Sequence, residues 1–188
     1  MKYYKQLVGK KVYLSPPNLS DASKYCEWIN DLEVSKNLNT EWSVNEEQEK
    51  ILLQDLLKGN NKIFGIIEIE NDQLIGSVGF NEIDYINRGA QFGIFIGDKT
   101  FWNKGYGTEA TRLVLDFGFN ILNLHNIYLF VYAYNKHAIR CYEKTGFKMI
   151  GKRREARLIA GKRYDLIYMD ILRDEFQSIY VEQIIEKE

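Results

Sequence analysis

Asn103-Lys104-Gly105-Tyr106-Gly107-Thr108 is the stretch on which the chain turns. The apolar run Phe92-Gly93-Ile94-Phe95-Ile96 precedes it. Ala110, Leu113, Val114, Phe117 and Ile121 follow at i, i+3, i+4, i+7 and i+11, one stripe of a 3.6-residue helix. A strand therefore leads through a glycine-rich turn into a helix. Glycine admits positive φ and lets a ligand approach the backbone closely. A helix start offers unpaired N–H groups and a partial positive charge. Together these describe an anion site, most often for phosphate. The first expectation is that this turn holds a diphosphate, and the rest of the chain has to say whose.

Size and composition set the bounds. With 188 residues, 45% hydrophobic and 27% charged, the chain reads as one globular domain, residues 1–188, with a core over 8–172 and a C-terminal helix or tail over 173–188. A formal net charge of −1 gives no pull toward nucleic acid or an anionic membrane. No apolar run reaches the length of a membrane span. Met1-Lys2-Tyr3-Tyr4-Lys5 lacks the apolar core of a signal peptide. Cys26 and Cys141 are too few and too far apart for a disulfide framework or a metal cluster. The expectation is a cytoplasmic protein with no metal.

In chain order, Lys11 to Leu14 is a short strand, and Ser20 is placed to cap a helix with the stripe Ala22, Tyr25, Cys26 and Ile29. Ser43-Val44-Asn45-Glu46 fits a capping box for a second helix carried by Ile51, Leu52 and Leu56 to Gly59. Strands over 63–70, 74–81 and 90–97, joined at Asn71-Asp72 and Asn87-Arg88-Gly89, make an antiparallel meander. A strand over 126–134 and a helix over 136–145 follow, with Gly146 in the position of a helix-ending glycine and Phe147 packing back. Two strands, near 148–158 and 164–172, flank the turn Ala160-Gly161-Lys162, and Phe176, Ile179, Tyr180 and Ile184 have helical spacing. The fold class is mixed α/β: a mostly antiparallel sheet of about seven strands with helices on both faces.

Three readings compete for the turn. A P-loop requires Gly-Lys-Ser or Gly-Lys-Thr, which the chain lacks. Gly105-Tyr106-Gly107-Thr108-Glu109-Ala110 matches the dinucleotide pattern G-x-G-x-x-A, but an antiparallel meander precedes it, and the next strand ends Ala133-Tyr134-Asn135 rather than in the acidic residue that would bind a ribose. The third reading is a resemblance. From Ser77 to Leu172 the chain resembles GCN5-related N-acetyltransferases, whose phosphate loop Gln/Arg-x-x-Gly-x-Gly/Ala corresponds to Trp102 to Thr108, and whose later signature corresponds to Asn135, Ala138, Tyr142 and Glu143-Lys144-Thr145-Gly146-Phe147. Trp102 replaces the family's Gln or Arg. Glu27-Trp28-Ile29-Asn30-Asp31 resembles the first helix of the ribosomal-protein and amino-sugar branch. The stretch from Asn81 to Phe92, with Asp116-Phe117-Gly118-Phe119 and Leu122-Asn123-Leu124-His125, is most similar to spermidine N-acetyltransferases.

The resemblance implies direct acetyl transfer from acetyl-CoA, a co-substrate, to a primary amine, and a sheet splayed at its centre. Phe95, Ile96 and Gly97 would then pair with the pantetheine arm, and a backbone N–H near Ile94 or Phe95 would polarise the thioester. Asn103, Lys104, Gly105, Tyr106, Gly107 and Thr108 would hold the diphosphate. Asn135, with Ala138, would meet the arm from the other side, and Tyr142 would be the general acid at sulfur. The family's frequent Glu is Gln91 here, so Glu82 is the candidate base, with Glu41 and Asp84 as alternatives and as candidate acceptor-side carboxylates. Glu46 and Glu47 are further polyamine candidates. The leading acceptor is a small polyamine such as spermidine; an amino sugar, a protein N-terminus, and a non-catalytic acyl-CoA sensor are the alternatives. A homo-oligomer, dimer or larger, is expected.

Overall fold

The computed structural model describes residues 2–39 and 43–185. Glu41, an acceptor-side candidate, lies outside them. Eight strands form the sheet: β1 Leu7–Val8, β2 Val12–Ser15, β3 Lys62–Glu68, β4 Gln73–Asp84, β5 Gly89–Ile96, β6 Asn126–Tyr132, β7 Lys148–Ile159 and β8 Lys162–Leu172. Their order is β1-β2-β3-β4-β5-β6-β8-β7. Neighbours run antiparallel except β5 and β6, which are parallel. The added strand relative to expectation is β1, two residues long, too short for alternation to show in sequence.

The helices are α1 Ala22–Asn30, α2 Leu32–Ser35, α3 Glu46–Lys58, α4 Tyr106–Asn120, α5 Lys136–Lys144 and α6 Val181–Ile185. Among the described residues none is long and apolar enough to cross a membrane. Two apolar layers cover the sheet. On one face Ala110, Leu113, Val114 and Phe117 of α4 pack on Ile66, Val78, Phe80 and Ile127. On the other, Tyr25 and Trp28 of α1 and Leu53 of α3 pack on Tyr13, Ile67 and Leu74.

Local capping departs from the sequence reading in two places. Ser20 does not cap α1. Asn18 caps a single 3-10 turn, Leu19–Asp21, by accepting the Ser20 N–H at 3.0 Å, and that turn runs into α1. The capping box of α3 lies two residues further on than Ser43–Glu46. Asn45 accepts from Gln48 N–H, and Gln48 accepts from Asn45 N–H, each at 2.9 Å. The buried positions of α3 are accordingly Glu49 and Leu53, while Ile51 and Leu52 are exposed. In α1, Trp28 is buried in the stripe and Cys26 is only half-buried.

Candidate active site

The parallel pair β5–β6 is where the sheet opens. The strands are in register only at Gly89↔Asn126, Ala90↔Ile127 and Gln91↔Tyr128. Beyond Gln91 and Tyr128, β5 continues to Ile96 and β6 to Tyr132 without pairing to each other. Two contacts hold the free end of β5 away. Gly97 lies flush on Trp28, so close that a Cβ there would stand 2.0 Å from Trp28 Cδ2. Trp102 Nε1 donates to Ile96 O at 2.8 Å. Trp102, the family departure, thus sits in the α1-side layer and ties the phosphate turn to the strand before it.

The opened edge can be read residue by residue. Gly97 N–H donates to Ile75 O at 2.9 Å, on the β4 side. Alternate residues of an antiparallel strand turn both backbone groups to the same neighbour. Gly97, Phe95 and Gly93 therefore serve β4, while Ile94 turns its N–H and C=O, and Ile96 its N–H, to the fork, the Ile96 carbonyl being taken by Trp102. Of the three residues expected to meet the arm through their backbone, Ile96 faces it, whereas Phe95 and Gly97 face the sheet.

The first turn of α4 stands over the fork. Gly105 is its N-cap with φ +87°, and Asn103 also has positive φ, 59°. The first helical bond runs from Glu109 N–H to Gly105 O at 3.1 Å. The N–H groups of Tyr106, Gly107 and Thr108 precede it and point out of the helix end. A Cβ on Gly107 would stand 3.7 Å from Ile96 Cγ1 and 3.9 Å from Ile94 Cδ1, so this helix end lies directly on the fork's β5 arm. The carboxylate of Glu109 accepts the N–H groups of Lys10, Lys11 and Val12 at 2.8, 2.7 and 3.0 Å, which fixes the β1–β2 hairpin against the same turn. Lys11 Nζ then donates to Lys104 O at 2.8 Å. A cleft of about 580 Å³ opens beside the turn, with Lys10, Lys11, Arg112 and Lys144 in its lining. Sequence reading missed Glu109, because its partners lie about a hundred residues earlier.

α5 starts just past the free end of β6, where Asn135 N–H donates to Tyr132 O at 2.8 Å, and it carries Tyr142 against β5. Asn135 Oδ1 caps the helix by accepting Ala138 N–H at 3.2 Å, which leaves the amide NH₂ as a donor. Tyr142, two turns on, is 8% exposed and meets Phe92 edge-on, centroids 5.9 Å apart, one residue past the last β5–β6 pair. Burial pushes its phenol above the ordinary value, with Cys141 adding in the same direction. The phenol is therefore neutral through the physiological range. Gly146, φ +103°, ends α5, and Phe147 N–H returns to Tyr142 O at 3.0 Å, which fixes the backbone of Tyr142.

The opposite face of the fork carries carboxylates and aromatic rings. Glu82 has φ 51° at a bulge in β4 and is set against Tyr128, whose phenol is pushed up first by burial and then by the charge of Glu82. Tyr128 is the last residue of β6 paired with β5. Asp170 is its register partner on β8 and accepts from Asn126 Nδ2 at 2.9 Å. Further along, Phe130 meets Tyr168 at 6.4 Å, Tyr132 stacks on Tyr134 at 5.5 Å, and Tyr134 meets Tyr164 at 4.9 Å. Asp84 lies elsewhere: its Oδ1 accepts the N–H groups of Ile86 and Asn87, and its Oδ2 accepts Asn87 Nδ2, all within the β4–β5 turn. Glu46 is ion-paired with Lys50 at 3.0 Å. Asp170 and the aromatic row went unnoticed in sequence, since only the β6–β8 register assembles them. Among the described residues no group of His, Cys, Asp and Glu could hold a metal ion.

A splayed parallel pair with a glycine-started helix over it is the arrangement the resemblance implied, and comparison with known proteins decides the family. A model of the acetyltransferase (GNAT) domain matches residues 11–148. The chain belongs to the GNAT acetyltransferase family. It is 32% identical over 174 residues to N-acetyltransferase p20 of Bacillus licheniformis, covering 90% of this chain and 97% of the relative. It is 32% identical over 153 residues to the spermidine N(1)-acetyltransferase of Vibrio cholerae, covering 79% and 88%. The crystal structure of spermidine N-acetyltransferase from Vibrio cholerae in complex with CoA and spermine superposes with a TM-score of 0.82 at 28% identity, over 89% of this chain and 98% of that one. This GNAT chain is an acetyl-CoA-dependent N-acetyltransferase, and the mixed α/β splayed sheet expected from its sequence is the one it has.

Proposed function

We propose that the acceptor is a small polyamine. The observation that carries this is the group of Tyr128, Phe130 and Tyr168 with Glu82 and Asp170 beside the fork. Ammonium groups are attracted to ring faces and to carboxylates, and a polyamine offers several along one flexible chain. The spermidine N-acetyltransferases among its relatives support the same acceptor.

Acetyl-CoA supplies the acetyl group as a thioester. In this reading the N–H groups of Tyr106, Gly107 and Thr108, with Asn103, Lys104 and Gly105 shaping the turn, bind the diphosphate. The backbone groups of Ile94, the N–H of Ile96 and the amide of Asn135 orient the arm. The Ile94 N–H, turned to the fork, donates to the thioester oxygen, where charge develops. An alkyl ammonium has a pKa near ~10 and must lose a proton before it attacks. Glu82, at the mouth of the fork, removes it. Tyr142, neutral and on the opposite face, gives its proton to the departing sulfur. The polar groups on the two faces thus take opposite halves of the proton traffic.

Residues 8–172 form the catalytic core in this reading, and the two free thiols, Cys26 and Cys141, suit a reducing cytoplasm. Exposed Ile51, Leu52 and Leu57 on α3 support a homo-oligomer, which sedimentation velocity will resolve as a species heavier than 22.1 kDa. The deciding experiment is thiol release from acetyl-CoA against spermidine, spermine, an amino sugar and a peptide N-terminus. The expected result is the highest kcat/KM for a polyamine. Equal or better turnover of the sugar or peptide sinks the assignment.

A further inference from the structure

The chain runs on past β8, and that continuation is fastened to the helix that starts at the phosphate turn. Asp116 of α4 is fully buried. Its Oδ2 accepts the N–H groups of Ile179, Tyr180 and Val181 at 2.9, 2.7 and 3.2 Å. Its Oδ1 accepts the Ser178 hydroxyl at 2.8 Å and Asn120 Nδ2 at 2.6 Å. Burial pushes this carboxyl up, but the donors at Ile179, Tyr180, Asn120 and Ser178 more than reverse the effect and hold it below the usual carboxylate range. Phe176 seats on Phe119 with centroids 5.3 Å apart. A buried carboxylate is costly to desolvate unless donors satisfy it, and here backbone and hydroxyl groups of the tail do so. The tail is built to stay in one place.

That place is the cleft beside the phosphate turn. Ile179, Tyr180 and Gln183 line it together with Lys10, Lys11, Arg112 and Lys144, and with Glu109, whose carboxylate is taken up by the hairpin N–H groups. Tyr180 is half-buried, with its hydroxyl within the electrostatic reach of Glu109 and Arg112. Beyond its diphosphate, CoA carries a purine and a ribose 3′-phosphate, so a basic cleft with an aromatic wall next to the diphosphate site matches what remains of the molecule. We infer that the tail over 176–185 is a clamp on the nucleotide end of acetyl-CoA, with the Tyr180 ring as the stacking partner of the purine and Asp116 as the positioning residue that holds the ring there. The inference rests on the diphosphate binding at Gly105.

The test compares acetyl-CoA with S-acetyl-4′-phosphopantetheine, which keeps the arm, the thioester and one phosphate but lacks the second phosphate and the nucleoside with its 3′-phosphate. KM for both is measured in the natural chain, Tyr180→Ala, Asp116→Asn and the double variant. Base–aromatic stacking corresponds to about a tenfold change in affinity. Tyr180→Ala is expected to raise KM for acetyl-CoA about that much, and so to shrink the preference for acetyl-CoA over the truncated thioester by the same factor. Asp116→Asn shrinks it through the same ring, so the double variant is expected to lose no more than the stronger single change. A core merely weakened by Asp116→Asn would handicap both thioesters alike and leave the ratio unmoved. An unmoved ratio in Tyr180→Ala overturns the clamp. If the natural chain does not prefer acetyl-CoA over the truncated thioester at all, the cleft holds no nucleoside and the clamp falls with it. If it turns over neither thioester, the fault lies in the cofactor placement itself.

Discussion

In the proposed mechanism Tyr142 and Glu82 serve one reacting centre from opposite faces of the sheet, and each carries a prediction. Tyr142→Phe removes a proton donor while keeping the ring that packs on Phe92 and Phe147. It is expected to lower kcat by about 10²-fold, the low end for a positioned acid, with KM for acetyl-CoA unchanged. Glu82→Gln keeps the shape beside Tyr128 and removes the proton acceptor, so steady-state assays are expected to show kcat/KM for the amine falling about as far. The raised pKa of the Tyr142 phenol sets a sign for the pH profile. The donor is the protonated form, its titration is displaced upward, and the acid is therefore present at every pH below the ordinary phenol value of about 10. At saturating substrates kcat is expected to show no alkaline decline below that point. A decline centred near pH 8 to 9 would remove Tyr142 as the acid.

Elements place these residues, and they differ in how far the sequence discloses them. The turn Ala160-Gly161, with φ of 50° and 72°, the Gly146 helix end, and the strand–turn–helix at Gly105 were legible because each depends on nearest neighbours. The α3 cap was misplaced by two residues because Ser43 and Asn45 offer the same chemistry, and only the docked helix chooses. Glu109 of α4, bonded to the β1–β2 hairpin, and Asp170 opposite Tyr128 were illegible, since each acquires its role from a partner distant in sequence. The fork itself was expected from resemblance, but its mechanical cause was not: Gly97 against Trp28, an α1 residue about seventy positions earlier. This contact can be tested. Gly97→Ala puts a Cβ 2.0 Å from the Trp28 ring, and overpacking of this kind costs about 1–3 kcal/mol. At roughly 2–4 °C per kcal/mol for a chain this size, Tm is expected to fall by several degrees. Gly151→Ala, where a Cβ has nothing within 4 Å, is the matched control and is expected to leave Tm within about a degree. Equal Tm for both variants would deny the wedge.

At the scale of the whole molecule, the proposed placement of acetyl-CoA would tie together parts the chain connects only loosely. In that placement the diphosphate would meet the first turn of α4 and the arm would enter the β5–β6 fork, with Asn135 and Tyr142 supplied by α5 and Lys10 and Lys11 by the β1–β2 hairpin. The fork leaves the Ile94 and Ile96 backbone groups without a β6 partner, so β5 and β6 are joined by three residue pairs and backed by helices on either face. A ligand that binds the folded state alone stabilises it by RT ln(1 + [L]/Kd), about 2.7 kcal/mol at a hundredfold excess over Kd. Translated at roughly 2–4 °C per kcal/mol, acetyl-CoA at that excess is expected to raise Tm by about 5–11 °C in a thermal melt. The shift depends on the Gly107 backbone lying against the fork: the Cβ of a valine there would stand 3.7 Å from Ile96 Cγ1, in the space the proposal gives to the diphosphate. Gly107→Val is therefore expected to keep a folded melt and to lose most of the acetyl-CoA shift. A full shift in that variant would mean that the diphosphate binds away from the turn, and no shift in the natural chain would mean that the fork holds no CoA thioester.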